Sequence, residues 1–132
     1  MMTKLTIFEP SVPIGMRIFE HNVDVAVDKR LRAAKKFAQR HRRRIFLSLD
    51  TRNTVDARAI RIIGKSKGRF FENSKCIVYV PRDIADKLLR TNMDDKVKVR
   101  LHMISVDNKR SVTIRFDLFG PKDDFEKYRA VL

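Results

Sequence analysis

The stretch KVKVRLHMISVDNKRSVTIRFDLF, residues 96–119, carries the clearest structural signal in this chain. Apolar and polar residues alternate on both sides of a short polar segment, which is typical of two half-buried strands joined in a β-hairpin. A turn at Asn108 and Lys109 would place one set of apolar side chains on a common side of the hairpin, facing the core. We predict this set to be Val97, Val99, Leu101, Met103, Val112, Ile114, Phe116 and Leu118.

The same register predicts which residues share the polar side of the hairpin. It pairs Arg100 with Asp117 and His102 with Arg115. Arg100 and Asp117 carry opposite charges and can satisfy one another, whereas Arg115 faces a histidine. Arg115 is therefore the better candidate for contact with an anionic ligand.

A strongly basic segment precedes the hairpin in the chain. Apolar residues recur at helical spacing over residues 23–43, which predicts an amphipathic helix that Asn22 and Asp24 can cap. Residues 29–44 include nine lysines or arginines and no acid, so no oppositely charged i,i+4 partner is available within them. A solvated helix face and a phosphate-binding surface both fit this run, and the missing acidic partners favour phosphate contact. A localisation signal at residues 42–44 is the least favoured interpretation, because these arginines abut a predicted core strand.

The rest of the chain divides into short elements. Residues 64–74 contain two glycines and three basic residues, and we predict them to be an exposed connection. Helices are predicted over residues 82–92, after Pro81, and from Asp123 towards the C-terminus. Short apolar runs predict further strands within residues 5–19, with breaks at Pro10 and Pro13, and at residues 45–49, 58–63 and 75–80. This order predicts a β-rich α+β fold, most simply a small barrel.

Composition limits the classes of function. The 132 residues fit one domain, and 30 Lys and Arg against 16 Asp and Glu give a formal net charge of +14. Such a field favours an anionic partner, above all nucleic acid, because each neutralised phosphate releases counterions. The sequence has no apolar run of about 18 residues that could span a membrane. Cys76, the one cysteine, is expected to be a small core residue, and we expect a cytoplasmic protein, nucleoid-associated if bacterial.

Sequence signatures of catalysis are lacking. The Gly-Lys-Ser at residues 64–66 is not a phosphate-binding P-loop, since Ala59 stands where that motif needs a glycine. The histidines and Cys76 lack the close spacing of zinc ligands, and no nucleophile elbow is present. We therefore expect a protein that is not an enzyme and uses no metal or cofactor. A nuclease with Asp56 among its metal-binding carboxylates is a weaker alternative, because the acids are scattered.

Four short motifs, in this order, resemble the HIRAN domain, a module found alone in bacteria and phages and attached to DNA-repair helicases and remodelling ATPases. They are residues 15–17 (Gly-Met-Arg), residues 53–60 with Asp56, residues 78–82 (Val-Tyr-Val-Pro-Arg) before a predicted helix, and residues 118–120 (Leu-Phe-Gly). The resemblance covers most of the chain, although the basic helix at residues 23–43 is longer than the usual connection and looks like an insertion. It implies an OB-like barrel that binds single-stranded DNA and, in its best-understood members, captures the 3′ end.

The resemblance also implies roles for individual residues. Arg17 would contact the DNA backbone, and Tyr79 and Arg82 would lie near phosphates. Asp56 would accept a hydrogen bond from a terminal 3′-hydroxyl, and Asn53 would shape its loop. From the sequence alone, Asp56 could equally be a residue that caps a turn.

Two departures from the family pattern bear on end recognition. Ile18 and Val55 stand where members that bind 3′ ends have aromatic residues that sandwich the terminal base. Base stacking contributes about 1–3 kcal/mol per base. Strand binding is therefore expected to survive these changes better than recognition of the end.

We predict a module that binds single-stranded DNA and acts in DNA repair, replication or processing. The 3′ end of the DNA strand is a candidate target. The alternatives are an RNA-binding protein and an adaptor whose basic helix docks an acidic protein. With any of these functions, the protein could have a partner protein in a repair or replication complex. No membrane partner is expected. The predicted contact residues are Arg17, Ile18, Phe19, Lys36, Arg40, Arg43, Arg44, Asn53, Asp56, Lys65, Lys67, Arg69, Tyr79, Arg82 and Arg115.

Overall fold

The structure is a computed structural model that describes residues 3–6, 11–27, 31–38, 45–50, 58–67, 72–106 and 111–131. Within these ranges it is a small β-rich α+β fold, as the sequence predicted, with seven strands and three α-helices. The elements are β1 (Thr3–Thr6), β2 (Met16–Val27), α1 (Leu31–Ala38), β3 (Ile45–Asp50), β4 (Arg61–Lys67), β5 (Glu72–Tyr79), α2 (Arg82–Arg90), β6 (Lys98–Val106), β7 (Val112–Pro121) and α3 (Phe125–Arg129), with a 3-10 turn at Lys122–Asp124 before α3.

The strands form two antiparallel sheets. One sheet has four strands in the order β1-β6-β7-β2, and the other has three in the order β3-β4-β5. β3 lies close to β6, and β2 approaches β5. Among the described residues no hydrogen-bonded ladder joins the two sheets, so the strands do not form a closed barrel. A continuous cluster of buried apolar residues lies between them.

The hairpin at residues 96–119 forms as β6 and β7, and its register changes partway along. Lys98 to Leu101 pair with β7 as predicted, but Met103 pairs with Arg115 because His102 is an extra residue, a β-bulge. Beyond the bulge, Ile104 occupies the buried position and Met103 is only half-buried. The predicted burial of Met103 and the predicted pairing of His102 with Arg115 are therefore wrong.

The predicted helix over residues 23–43 begins too early, because β2 continues as a strand to Val27. Alternating valines in this segment suit a pleated strand, and pairing with β7 satisfies their backbone groups. The described helix is confined to α1. Its buried face includes Ala34 and Phe37.

Residues 64–67 and 72–74 belong to strands rather than to the predicted exposed connection, and residues 68–71 lie outside the described residues. β4 extends to Lys67, β5 begins at Glu72, and Gly64 is buried against the ring of Phe37 on α1. A Cβ atom added at Gly64 would lie 2.8 Å from the nearest ring carbon of Phe37. The absence of a side chain at residue 64 therefore lets α1 pack directly on β4.

The C-terminal half follows the sequence predictions more closely. Pro81 precedes α2, which buries Ile84, Ala85 and Leu88. Asn92, with φ of 58°, ends the helical segment, as expected for a residue that tolerates the left-handed region. Tyr128 on α3 is buried in the core.

We expect Gly64→Ala to destabilise the protein by about 1–3 kcal/mol, the usual cost of overpacking a core. Phe37→Leu removes the ring that the new methyl group would meet, so the double variant should lose less free energy of unfolding than the two single losses combined. Urea denaturation of the four proteins measures this coupling. Strict additivity would show that Gly64 and Phe37 do not constrain one another.

Burial raises the pKa of the Tyr128 hydroxyl above its usual value of 10.0, and Glu20, whose Oε2 lies 3.1 Å from the hydroxyl oxygen, raises it further. Tyr128 therefore stays protonated in the folded state at a pH where it ionises in the unfolded chain. Its contribution to stability is complete below pH 10 and declines as the pH rises above that value. The difference in unfolding free energy between the wild type and Tyr128→Phe should shrink from pH 8 to pH 11; a constant difference would contradict this.

Candidate nucleic-acid interface

The outer face of the three-stranded sheet, which points away from the core, carries a cationic depression. Side chains alternate along β4, so Ile62, Gly64 and Ser66 point to the buried side. Arg61, Ile63 and Lys65 point to the opposite side and are half-buried. The inner side is occupied by α1, which contacts Gly64 through Phe37.

The depression has a volume of about 550 Å³. Three cations, Arg61, Lys65 and Lys75, and one carboxylate, Asp50, contribute to its lining, which leaves a surplus of two positive charges. Arg61 forms an ion pair with Asp50 across the β3–β4 ladder. The full lining is Ser48, Leu49, Asp50, Arg61, Ile63, Lys65, Ser74, Lys75 and Cys76. A cationic depression with hydroxyl groups and some apolar surface suits a phosphate-bearing ligand.

A bulge in β5 determines which of its side chains reach this face. Ile62 pairs with Val78 and Ile63 with Cys76, so Ile77 is an extra residue, and it is buried together with Val78. Cys76 consequently lies half-buried in the lining of the depression, and the prediction that it is a core residue is wrong. The bulge lies inside β5 and leaves no mark in the apolar pattern of residues 75–80.

The structure brings some of the predicted contact residues to this region. Lys65 lines the depression, and Tyr79 pairs with Arg61 at the start of β4, where Tyr79 is half-buried. Arg82 is exposed at the first turn of α2, three residues beyond Tyr79. The side chain of Lys67 lies outside the described part of the chain. So do the remaining predicted contact residues of the loops and the basic segment, which are Arg40, Arg43, Arg44, Asn53, Asp56 and Arg69.

Residues 17–19 lie on the other sheet, near the start of β2. Arg17 is exposed, with its guanidinium 3.7 Å from the centre of the Phe125 ring, and Ile18 is half-buried opposite Phe119. Phe19 is buried, and its ring centre lies 5.1 Å from that of Tyr128. The prediction that Phe19 contacts nucleic acid is therefore wrong, because its side chain belongs to the core.

Two of the predicted contact residues, Lys36 and Lys65, do not share one surface. Lys36 is exposed on α1, which covers the inner side of the sheet, whereas Lys65 projects from the outer face. These two cations therefore lie on opposite sides of β4. Side chains alternate along a strand, so a cation on β4 and a cation on the helix packed against it can lie on opposite sides of the sheet.

Arg115 is already engaged by a carboxylate. Its Nε and Nη2 atoms donate to the two oxygens of Asp24 on β2, at 2.7 and 3.0 Å. The hydrogen bond from Arg115 lowers the pKa of Asp24, and the same bond raises the pKa of Arg115. This pair replaces the predicted pairing with His102 and weakens the case for Arg115 as an anion contact.

The structure also reveals a polar cluster, the Asp117 cluster, consisting of Asp117, His21, Asn22, Arg100 and His102. The Asp117 side chain is fully buried and receives four contacts: His21 Nδ1 at 2.9 Å, the Asn22 backbone N–H at 2.9 Å, Arg100 at 2.7 Å and His102 Nε2 at 2.6 Å. Burial raises its pKa, but the hydrogen bonds from Asn22, Arg100 and His102 outweigh burial and lower the pKa to about 2. The hairpin register predicted Arg100 as a partner; both histidines were missed because each depends on a bulge.

Asp117→Asn should lower the free energy of unfolding by roughly 3 kcal/mol or more, because it leaves Arg100 without its buried counter-charge and points an amide N–H₂ at other donors. The matched control is Asp24→Asn, which removes the same charge from the partly exposed pair with Arg115 and should cost much less. Urea denaturation at pH 7 measures both variants. Equal losses would show that the Asp117 cluster does not stabilise the fold.

Comparison with known proteins adds no relative. The chain matches no known protein family, no curated protein and no solved structure. No helix among the described ranges combines the length and apolar character needed to cross a membrane.

Proposed function

We propose that this protein binds single-stranded nucleic acid, with DNA preferred, along the outer face of the sheet β3-β4-β5. The observation that carries the proposal is the depression on that face, where Arg61, Lys65 and Lys75 face a single carboxylate. Among the described residues, α1 packs on the other side of this sheet, where Phe37 contacts Gly64. A sheet face with cations and hydroxyl groups can follow a phosphate backbone without reading its sequence.

Electrostatic attraction supplies most of the affinity. The chain has a formal net charge of +14, and binding to phosphates releases the counterions condensed on the nucleic acid. Lys75 is exposed, and Lys65 is half-buried with its charge at the depression. Such contacts have little dependence on base identity and are weakened by salt.

Apolar and aromatic groups beside the cations offer surfaces to bases. Tyr79 lies next to Arg61 in the ladder, and Ile63 and Leu49 line the depression. Stacking on a half-buried tyrosine is tolerant of sequence, since every base has an aromatic face. The preference for unpaired strands follows, because bases in a duplex are stacked on each other and cannot reach the sheet.

We also propose kinship with the HIRAN domain, in a stand-alone form with an OB-like arrangement of its two sheets. Two motifs that resemble the family meet in space, since Met16 and Arg17 pair with Pro121 and Gly120. A third motif ends β5 at Tyr79 and begins α2 at Arg82, the strand and helix order that the resemblance implies. A cytoplasmic role at DNA ends in repair, replication or processing extends this proposal.

Binding is tested by fluorescence anisotropy with a labelled single-stranded oligodeoxynucleotide over a range of salt concentrations. Lys65→Ala combined with Lys75→Ala should weaken binding at low salt and reduce the slope of log K against log salt by about 1.4, since each lost phosphate contact on a single strand contributes about 0.7. The matched control is Lys122→Ala with Lys127→Ala. It removes two exposed lysines near the C-terminus and should leave binding to the outer face almost unchanged.

Equal losses in the two double variants would reject the outer face as the binding surface, and salt-independent binding would reject the electrostatic mechanism. Tighter binding of an RNA of matched sequence would identify RNA, rather than DNA, as the preferred ligand. Retention of an acidic protein after nuclease treatment, without affinity for either nucleic acid, would favour the adaptor. Oligonucleotides ending in a 3′-hydroxyl or a 3′-phosphate, tested with Asp56→Ala, separate end capture from strand binding.

A further inference from the structure

Two histidines that are distant in the sequence meet at one buried carboxylate. His21 on β2 and His102 on β6 lie on either side of Asp117 on β7, because β7 is hydrogen-bonded to both of those strands. The facing nitrogen and oxygen atoms, His21 Nδ1, His102 Nε2 and a carboxylate oxygen of Asp117, all lie within 4.8 Å of one another. Two imidazoles and one carboxylate form a donor set that suits zinc and related divalent ions.

Each histidine reaches the carboxylate through its own irregularity in the sheet. His21 and Asn22 together oppose Asp117, and Asn22 adopts a φ of 50°. His102 is the extra residue of the second bulge, between Leu101 and Met103. Bulges re-aim side chains and cost regular ladder hydrogen bonds. Two bulges therefore converge on one residue of the strand that lies between them.

The carboxylate is held in position by groups that would not be ligands. The Asn22 backbone N–H donates to Oδ1 and the Arg100 guanidinium donates to Oδ2. Such outer contacts fix the orientation of a ligating carboxylate. The His21 side chain is 60% exposed, so one side of the cluster is open to water, whereas the His102 side chain is 29% exposed.

We propose that His21 Nδ1, His102 Nε2 and the Asp117 carboxylate bind a divalent transition-metal ion, with Zn²⁺ the best match, and that water completes a four-coordinate site. Ligand atoms about 2.0–2.1 Å from zinc in a tetrahedral site are about 3.3 Å apart. The present contacts run to different carboxylate oxygens, 2.9 Å from His21 Nδ1 to Oδ1 and 2.6 Å from His102 Nε2 to Oδ2. Metal binding would lengthen them by about 0.4 and 0.7 Å to reach the tetrahedral spacing. Without metal, each facing nitrogen carries a hydrogen and donates it to Asp117; on metal binding that proton shifts to the other ring nitrogen.

The charge balance indicates a site of moderate affinity. The carboxylate supplies one negative charge, and Arg100 already lies against it, so a divalent ion adds to an existing positive charge. Three protein ligands and an open position are typical of zinc sites that bind or activate a water molecule or an exogenous ligand. This inference is independent of the proposed nucleic-acid interface, since the Asp117 cluster shares no residue with the depression.

The test is isothermal titration of the full-length protein with Zn²⁺, together with visible absorption on addition of Co²⁺. One ion should bind per chain, and Co²⁺ should give the intense bands of a four-coordinate site. His21→Gln and His102→Gln should each weaken binding by about tenfold or more and reduce the Co²⁺ bands. If His102→Gln does not fold, as judged by circular dichroism, the exposed His21 still provides the test.

Matched controls come from the other soft ligands of the chain. His41 is the remaining histidine and Cys76 the one cysteine, and His41→Gln and Cys76→Ser should leave the affinity for Zn²⁺ unchanged. No binding of either metal to the wild type would overturn the proposal. Binding that falls with His41→Gln or Cys76→Ser, but not with the variants of His21 and His102, would also overturn it.

Discussion

The buried carboxylate of Asp117 imposes the constraint on which the four-stranded sheet depends. An ionised carboxylate without water or hydrogen-bond partners would cost several kcal/mol, so the surrounding strands have to supply donors. Neighbouring β2 supplies a backbone N–H and His21, and β6 supplies Arg100 and His102. A regular antiparallel ladder would place one residue of each neighbouring strand opposite Asp117. The bulges bring additional donors within reach, and the one in β6 also explains why Ile104 replaces Met103 in the core.

The other sheet is organised by the contrast between the two faces of β4. Gly64 brings α1 onto the inner side because the ring of Phe37 occupies the space that a Cβ atom would need. With the helix on that side, Arg61 and Lys65 lie on the opposite face, where both are half-buried and line the depression. The close contact in the core and the cationic depression are thus two results of the same placement of α1. A bulge in β5 adds Cys76 to this face.

Local patterns in the sequence predict those parts of the fold that depend on neighbours along the chain. The β6–β7 hairpin and α2 follow from alternation and from helical spacing. The segment before α1 was predicted incorrectly because Val27 also continues the helical spacing of Leu31 and Ala34. Pairing with β7, which the sequence alone does not show, selects the strand. Bulges leave no signal in a single sequence. Both histidines of the Asp117 cluster and the position of Cys76 were therefore out of reach, and Phe19 could not be distinguished from an exposed aromatic residue.

The composition of the Asp117 cluster bears on why it exists. Arg100 and the Asn22 backbone N–H already satisfy both carboxylate oxygens, and buried ionic groups can often be replaced by apolar residues without loss of stability. Stabilisation of the sheet alone therefore does not account for two histidines, each brought in by a separate bulge. A lysine or a further backbone N–H could donate to the carboxylate as well as an imidazole can. What the imidazoles add is a nitrogen lone pair that becomes available when the ring proton moves, and coordination of a metal ion is chemistry that requires it.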